Sequence, residues 1–283
     1  MLRRHLFAFA VASLAVVGCD EKKTEAPVPP AQSGMPAVQP TGTTAALQGA
    51  AKALANAQAV QQGATAAPAG DTGSITGVVT VTGKLPVMDD LKRNSDAFCA
   101  KKQMKDESVV ADDKGHLANV LVHVIGLPAT TNPPKEKATI SQDDCMYRPR
   151  VLGVVDGQPL DIRNGDPVLH NVHSYEGART LFNVAQVPGM PNIEKTFTQN
   201  GVMLKMKCDV HQWMTGFVWV QNNGFFAVTD KDGKFEIKDV PVGTYDVEAW
   251  HERFGTKPGK VTIVKGKPAE LKLEFSATQT ASK

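Results

Sequence analysis

A chain of 283 residues with ordinary shares of apolar and charged side chains has room for one or two globular domains. It carries 31 basic and 29 acidic residues, and its first eighteen positions hold Arg3 and Arg4 but no acid, which leaves 29 of each sign in the rest. That balance excludes the broad basic surface a nucleic-acid binder needs, so no nucleic-acid partner is expected.

Residues 1–18 read as an export signal. Arg3 and Arg4 supply the charged start, and Leu6 to Val17 form an apolar stretch too short to span a bilayer comfortably. The stretch ends in Val16-Val17-Gly18-Cys19, which resembles the bacterial lipobox. That resemblance implies a lipidated Cys19 as the mature N-terminus and a place in the bacterial cell envelope, on the periplasmic or cell-surface side. An ordinary secretory signal with a chance cysteine, or a membrane anchor, are the alternatives. Several acyl chains on one residue hold a protein stably at a membrane. Residues 19–72 are rich in Ala, Pro, Gln, Thr and Gly and almost devoid of large apolar side chains. Such a segment cannot offset its ordering entropy and is expected to be a disordered tether. As a flexible coil of about 53 residues it would reach roughly 40 Å.

From Ile75 the pattern becomes β-rich, with short runs punctuated by Gly, Pro, Asn and Asp. Strands are expected at Ile75–Thr82, Asn119–Ile125, Ala138–Gln142, Leu160–Asn164, Val202–Lys207 and Phe217–Gln221. They continue at Phe225–Thr229, Lys234–Ile237, Tyr245–Trp250, Gly259–Val264 and Ala269–Phe275. Many short strands with no helical period between them indicate an all-β sandwich or barrel. Asp232-Gly233 is a hairpin signal.

Two stretches carry a likeness to known sandwiches. The run Asp230-Lys231-Asp232-Gly233-Lys234-Phe235, followed by Pro241-Val242-Gly243-Thr244-Tyr245, resembles the carboxypeptidase-regulatory, transthyretin-like sandwich. That family's usual opening strand matches Ile75-Thr76-Gly77-Val78-Val79, about 150 residues earlier. An inserted second β domain would account for the gap; two domains in series would be the other arrangement. The insertion reading divides the chain into N-terminal strands at 73–137, a middle domain at 138–221, C-terminal strands at 222–277 and a tail at 278–283.

The chemistry concentrates at Cys208-Asp209-Val210-His211-Gln212-Trp213-Met214, between two expected strands. A loop there can turn a thiolate, an imidazole and a thioether towards one point. Upstream, Asn164-Gly165-Asp166-Pro167-Val168-Leu169-His170-Asn171 reads as a strand end and turn delivering a second imidazole. His170, Cys208, His211 and Met214 are therefore the candidate metal ligands. Two imidazoles, a thiolate and a weak thioether suit one copper ion cycling between Cu(I) and Cu(II). Zinc would favour paired Cys or Cys/His ligands without a required Met, and the C-x-x-C-H of haem attachment is absent.

Residues 138–221 resemble a cupredoxin, with the short amicyanin-like spacing of the Cys-His-Met loop. The resemblance implies a Greek-key β-sandwich with His170, Cys208 and His211 as equatorial ligands and Met214 as the axial one. It also implies that Asn171 tethers the cysteine loop and hydrogen-bonds near the sulfur. Val210 and Gln212 stand where such loops carry proline, which bears on loop rigidity and potential but not on the ligand set. The whole segment from Ile75 to Phe275 resembles bacterial proteins that join such a copper module to a regulatory-like sandwich. The expected fold class is all-β, a cupredoxin sandwich plus a second small carboxypeptidase-regulatory-like sandwich.

Other residues have more than one reading. Trp213 packs in the core, or forms an exposed apolar collar around His211 that docks a redox partner. Cys99 and Cys145 form a disulfide, remain free thiols, or make a second, softer copper site. His173 is expected on the face of its strand opposite His170, Asp209 is solvated or capping, and His116, His123 and His251 are structural. No catalytic constellation stands out, so an enzyme is not expected. The leading function is a lipid-anchored one-electron carrier between redox proteins outside the cytoplasm. The alternatives are copper delivery, or an adhesive or carbohydrate-binding sandwich with structural copper.

Overall fold

The computed structural model describes residues 61–62 and 70–279 except Asn200. The export signal 1–18, the lipidation site Cys19 and the tether at 19–60 and 63–69 lie outside the described residues, as do 280–283 of the tail. Among the described residues no helix is long and apolar enough to cross a membrane.

The protein is all-β. In chain order the strands are β1 (Gln61–Gln62), β2 (Thr72–Thr82), β3 (Leu121–Val124), β4 (Ala138–Asp143), β5 (Met146–Arg148) and β6 (Val151–Val155). Next come β7 (Pro159–Asn164), β8 (His170–Glu176), β9 (Arg179–Gln186), β10 (Ile193–Thr196), β11 (Val202–Lys207) and β12 (Thr215–Gln221). The last are β13 (Phe226–Val228), β14 (Lys234–Pro241), β15 (Gly243–His251), β16 (Gly255–Ile263) and β17 (Pro268–Ser276). Among the described residues a 3-10 turn at Cys99–Lys101 is the helical exception.

The opening and closing segments pair with each other. β2 lies between β14, antiparallel, and β17, parallel, with Ile75 opposite Ile237 and Ala269. This sheet faces a second one ordered β1-β13-β3-β15-β16. Between them sits an apolar core that includes Ile75, Leu117, Val122, Phe235, Ala249 and Phe275. Between β3 and β13 the chain builds a second sandwich from the sheets β10-β7-β4-β5 and β6-β12-β11-β8-β9. Its core includes Ile140, Leu160, Ile162, Val172, Leu204 and Val218. Five of these strands escape the sequence pattern: β5, β6, β8, β9 and β10. β8 turns His170 and Ser174 inwards and β9 is exposed along much of its length, so neither shows clean apolar alternation. β6 is interrupted by Gly153 and is buried at every position, without alternation.

A third apolar cluster welds the two sandwiches. Val151, Val155 and Phe217 of the second sandwich meet Leu121, Phe226, Val228 and Trp250 of the first. Gly153 is required there, because a Cβ would lie 2.2 Å from the Phe226 ring. A buried pair, Arg150 with Glu252, joins the sandwiches beside this cluster, with Nη2 to Oε2 at 2.9 Å. His251, next to Glu252, is buried and stacked on Phe254 with ring centroids 4.8 Å apart. Burial, together with the charges of Arg150 and Arg253, pushes its imidazole down to about 3. The folded protein therefore keeps His251 neutral while the unfolded chain protonates it below its ordinary value of 6.5. Its contribution is fully present above that value and is lost as pH falls towards 3, at about 1.4 kcal/mol per pH unit. His251→Gln is expected to flatten the fall in urea midpoint between pH 6.5 and 4 relative to the unaltered protein. An unchanged slope would show that His251 does not carry this share of the acid sensitivity.

Candidate metal centre

One end of the second sandwich gathers the donor residues. His170 opens β8, Cys208 follows β11, and β12 begins directly after Met214. β11 pairs with β8, His173 opposite Lys207, and with β12, Lys207 opposite Thr215. The Cys208–Met214 loop is thus closed between paired strand ends and hangs beside the start of β8. Within the loop the Met214 N–H donates to the His211 carbonyl at 2.9 Å, and the Gln212 side chain donates to the Asp209 carbonyl at 2.7 Å. These bonds brace the loop at positions where its sequence lacks proline.

The result is a converging, dry set of donors. Ligand atoms of His170, Cys208 and His211 lie within 4.8 Å of one another. His170 Nδ1 is 2.9 Å from His211 Nδ1, and Cys208 Sγ is 3.7 Å from the latter. His170, Cys208 and Met214 are 0 % exposed and His211 is 1 %. Met214 packs in the same apolar core as Cys208.

Neighbouring groups hold His170 and Cys208. Asn171 directs its N–H at Cys208 Sγ from 3.5 Å, and its Oδ1 accepts the Asp209 N–H at 2.6 Å. Its Nδ2 donates to Asp209 Oδ2 and Asn183 Oδ1. Two further supports were not read from the sequence. Asp166 Oδ2 lies 2.8 Å from His170 Nε2, and its carboxylate also accepts the N–H groups of Asp144 and Cys145. The Tyr147 hydroxyl sits 3.0 Å from both the Asn171 and Lys207 carbonyls, bridging β8 and β11 beneath the site. Asp166 was visible as an acid four residues before His170 in a tight turn. Tyr147 carried no sequence signal, because its role depends on two strands distant in the chain.

The electrostatics prepare a thiolate. Burial pushes the Cys208 thiol up, but the His170 hydrogen bond and the N–H groups of Asn171, His211 and Val210 outweigh it and hold the thiol below its ordinary value. Burial would lower His170, yet the Asp166 and Cys208 hydrogen bonds raise it to about 9. Burial and the neighbouring His170 charge lower His211. A carboxylate-oriented imidazole, a second imidazole and a thiol poised to ionise form a donor set that can hold a transition metal ion.

Cys99 and Cys145 are joined in a disulfide, and Cys208 is the free cysteine among the described residues. The bridge occupies both sulfurs, so Cys145 has no thiolate to offer the nearby Asp166 and His170. Cys99 Sγ lies 3.6 Å from His211 Nε2 and covers the outer edge of that ring. Of the two readings of Trp213, core packing and an exposed collar around His211 that docks a partner, the packing here agrees with the first. Trp213 is half-buried against the core, its ring 5.1 Å from that of His211, and its Nε1–H is bound to the Cys145 carbonyl at 3.0 Å. The stapled segment around Cys99, distant in sequence, occupies the space the collar would have left open. His173 points away from the donors, bonding Asp209 and Thr180, and Asp209 is half-exposed. His116 pairs with Asp112 and His123 with Glu248, both away from the donors.

No family model matches the chain, and no curated protein matches it. Solved structures similar to part of it include a purple cupredoxin from Nitrosopumilus maritimus, 27 % identical, spanning 30 % of this chain and 99 % of that one, with a TM-score of 0.27. Amicyanin from Paracoccus versutus is 19 % identical over 35 % of this chain and 97 % of its own, with a TM-score of 0.28. A copper-containing nitrite reductase from Thermus scotoductus is 19 % identical over 34 % of this chain and 25 % of its own, also at 0.28.

Removing the carboxylate that orients His170 tests this geometry. Asp166→Asn is expected to weaken Cu(II) binding about 10- to 100-fold in a chelator competition titration. An affinity equal to that of the unaltered protein would remove Asp166 from the site.

Proposed function

We propose that the protein is a mononuclear copper protein that carries one electron at a time between redox partners outside the cytoplasm. The observation that carries this reading is the buried convergence of His170 Nδ1, His211 Nδ1 and Cys208 Sγ, with Met214 in the same core. When bound there, a copper ion would supply a single reversible electron, Cu(II) to Cu(I).

The chain's own residues do the rest. Cys208 and Met214 favour the reduced ion, and the two imidazoles accommodate both states. Asp166 and Asn171 fix the His170 ring and the sulfur, so little has to move there between states. The donors lie in an apolar interior, which excludes water from them. That burial supports a carrier over an enzyme, which would need an open ligand position for its substrate. It also speaks against copper delivery, which needs a site that exchanges its metal readily. The sequence at Cys19 supports a lipid anchor in the bacterial envelope.

The test is reconstitution of a soluble form beginning at Gly73 with Cu(II), alongside Cys208→Ser. A strong thiolate-to-copper band in the visible is expected, bleached by ascorbate, restored by an oxidant without loss of metal, and absent from the variant. Loss of copper on the first reduction would exclude the carrier reading.

A further inference from the structure

The strand register places a particular set of residues on the outer face of the sheet that carries Cys208. Paired residues share a face, so β9, β8, β11, β12 and β6 line up as successive columns. Across them run Asn183, His173, Lys207 and Thr215, and, one step along, Tyr175, Lys205, Phe217 and Val151. The β6 and β12 columns are covered, since Val151 and Phe217 pack against Phe226 and Trp250 of the first sandwich. The β8, β9 and β11 columns lie largely beyond this cover: Lys205 and Asn183 are exposed and His173, Tyr175 and Lys207 partly exposed, while Met203 at the far end of β11 packs against the junction.

That partly exposed half is connected to the sulfur. Asp209 follows Cys208 by one peptide bond, and both its carboxylate oxygens lie 3.0 Å from His173 Nδ1. His173 stacks on Tyr175 with centroids 4.0 Å apart, and the tyrosine hydroxyl is 2.7 Å from the same nitrogen. Asn171 ties this network back to Cys208 Sγ. By contrast, neither imidazole offers an edge to solvent: Cys99 covers His211 and Asp166 holds the far nitrogen of His170.

The charges on this half are uneven. Glu176 is paired with Arg179, and Asp209 is satisfied by Asn171, Asn183 and His173. Across the junction Glu252 is paired with Arg150. Lys205 is exposed and Lys207 half-buried, and neither joins an ion pair among the described residues. Two lysines without ion-pair partners against the one Asp209 carboxylate leave the surface around the stacked rings with a net positive charge.

The geometry points to this half-sheet, centred on His173 and Tyr175 and flanked by Lys205 and Lys207, as the place where an acidic redox protein docks and exchanges its electron with the copper. The inference rests on the copper reading above. With copper held by His170, Cys208, His211 and Met214, one electron would pass to or from the partner's redox centre along Cys208, Asp209 and the His173–Tyr175 stack. No bond forms or breaks and no proton is transferred.

Two anionic complexes stand in for an acidic partner. Hexacyanochromate(III), which is paramagnetic and redox-inert, is expected to broaden the amide NMR signals of Tyr175, Lys205 and Lys207 in both the metal-free and the Cu(I) protein. Broadening centred on the exposed Leu169 and Val210 beside the histidines, or no localised broadening, would overturn the assignment. Oxidation of the Cu(I) protein by ferricyanide is expected to slow about ten-fold at low ionic strength in Lys205→Glu/Lys207→Glu, the difference closing at high salt. Tyr175→Leu is expected to slow it at every ionic strength while leaving the visible band unchanged. Rates equal to those of the unaltered protein in these variants would also overturn it. A protein that never shows the thiolate-to-copper band refutes the copper reading itself, whereas a normal band with unresponsive rates refutes only the docking face.

Discussion

Burying polar donor atoms without partners is costly, and this constraint shapes one end of the second sandwich. An unpaired charge in an apolar interior costs several kcal/mol, and a buried polar atom without a hydrogen bond costs a few. His170, Cys208 and His211 are all taken out of water, so each must be answered by a nearby group. Asp166 answers the far nitrogen of His170, the Asn171 N–H faces the sulfur, and Tyr147 closes the carbonyls of Asn171 and Lys207. The same bonds that limit the cost of burial fix the donors in place.

Those supports depend on strand pairing well away from the loop itself. The Cys208–Met214 loop is held because β11 pairs on one side with β12 and on the other with β8. β12 is in turn backed by β6 and by the apolar junction with the first sandwich, where Phe226 fills the space left by Gly153. The first sandwich thus contacts the strand that leaves the metal loop. A role in stiffening that strand follows from this contact, whatever else its surface does.

The disulfide adds a second restraint with a directional consequence. It fastens the segment around Cys99 to the β4–β5 turn and lays Cys99 Sγ against the His211 ring. Trp213 is drawn in by the Cys145 carbonyl instead of standing free. The histidine end is thereby closed, while the opposite flank of Cys208 leads through hydrogen bonds to a partly exposed sheet face. Both effects arise from where chain segments far apart in sequence come to rest.

Much of the centre was legible in the chain itself. Cys208, His211 and Met214 stand close together in one short loop, and the neighbouring β-rich runs place that loop between strands, so residue type and spacing were enough to group them. His170 followed from a turn motif next to a strand, and the all-β class from the density of short apolar runs. What the sequence could not supply were contacts between segments without local pattern. The anchoring of Asp166 by the Asp144 and Cys145 N–H groups, the Tyr147 support, the strands β6, β8 and β9, the cover over His211 and the Lys205–His173–Tyr175 face were all of this kind. Each depends on register and on packing between stretches well separated in the chain, as with Cys99 and His211, 112 residues apart. Local composition carries the period of a strand and the chemistry of a loop, but which faces meet is decided only when distant strands pair and exclude water together.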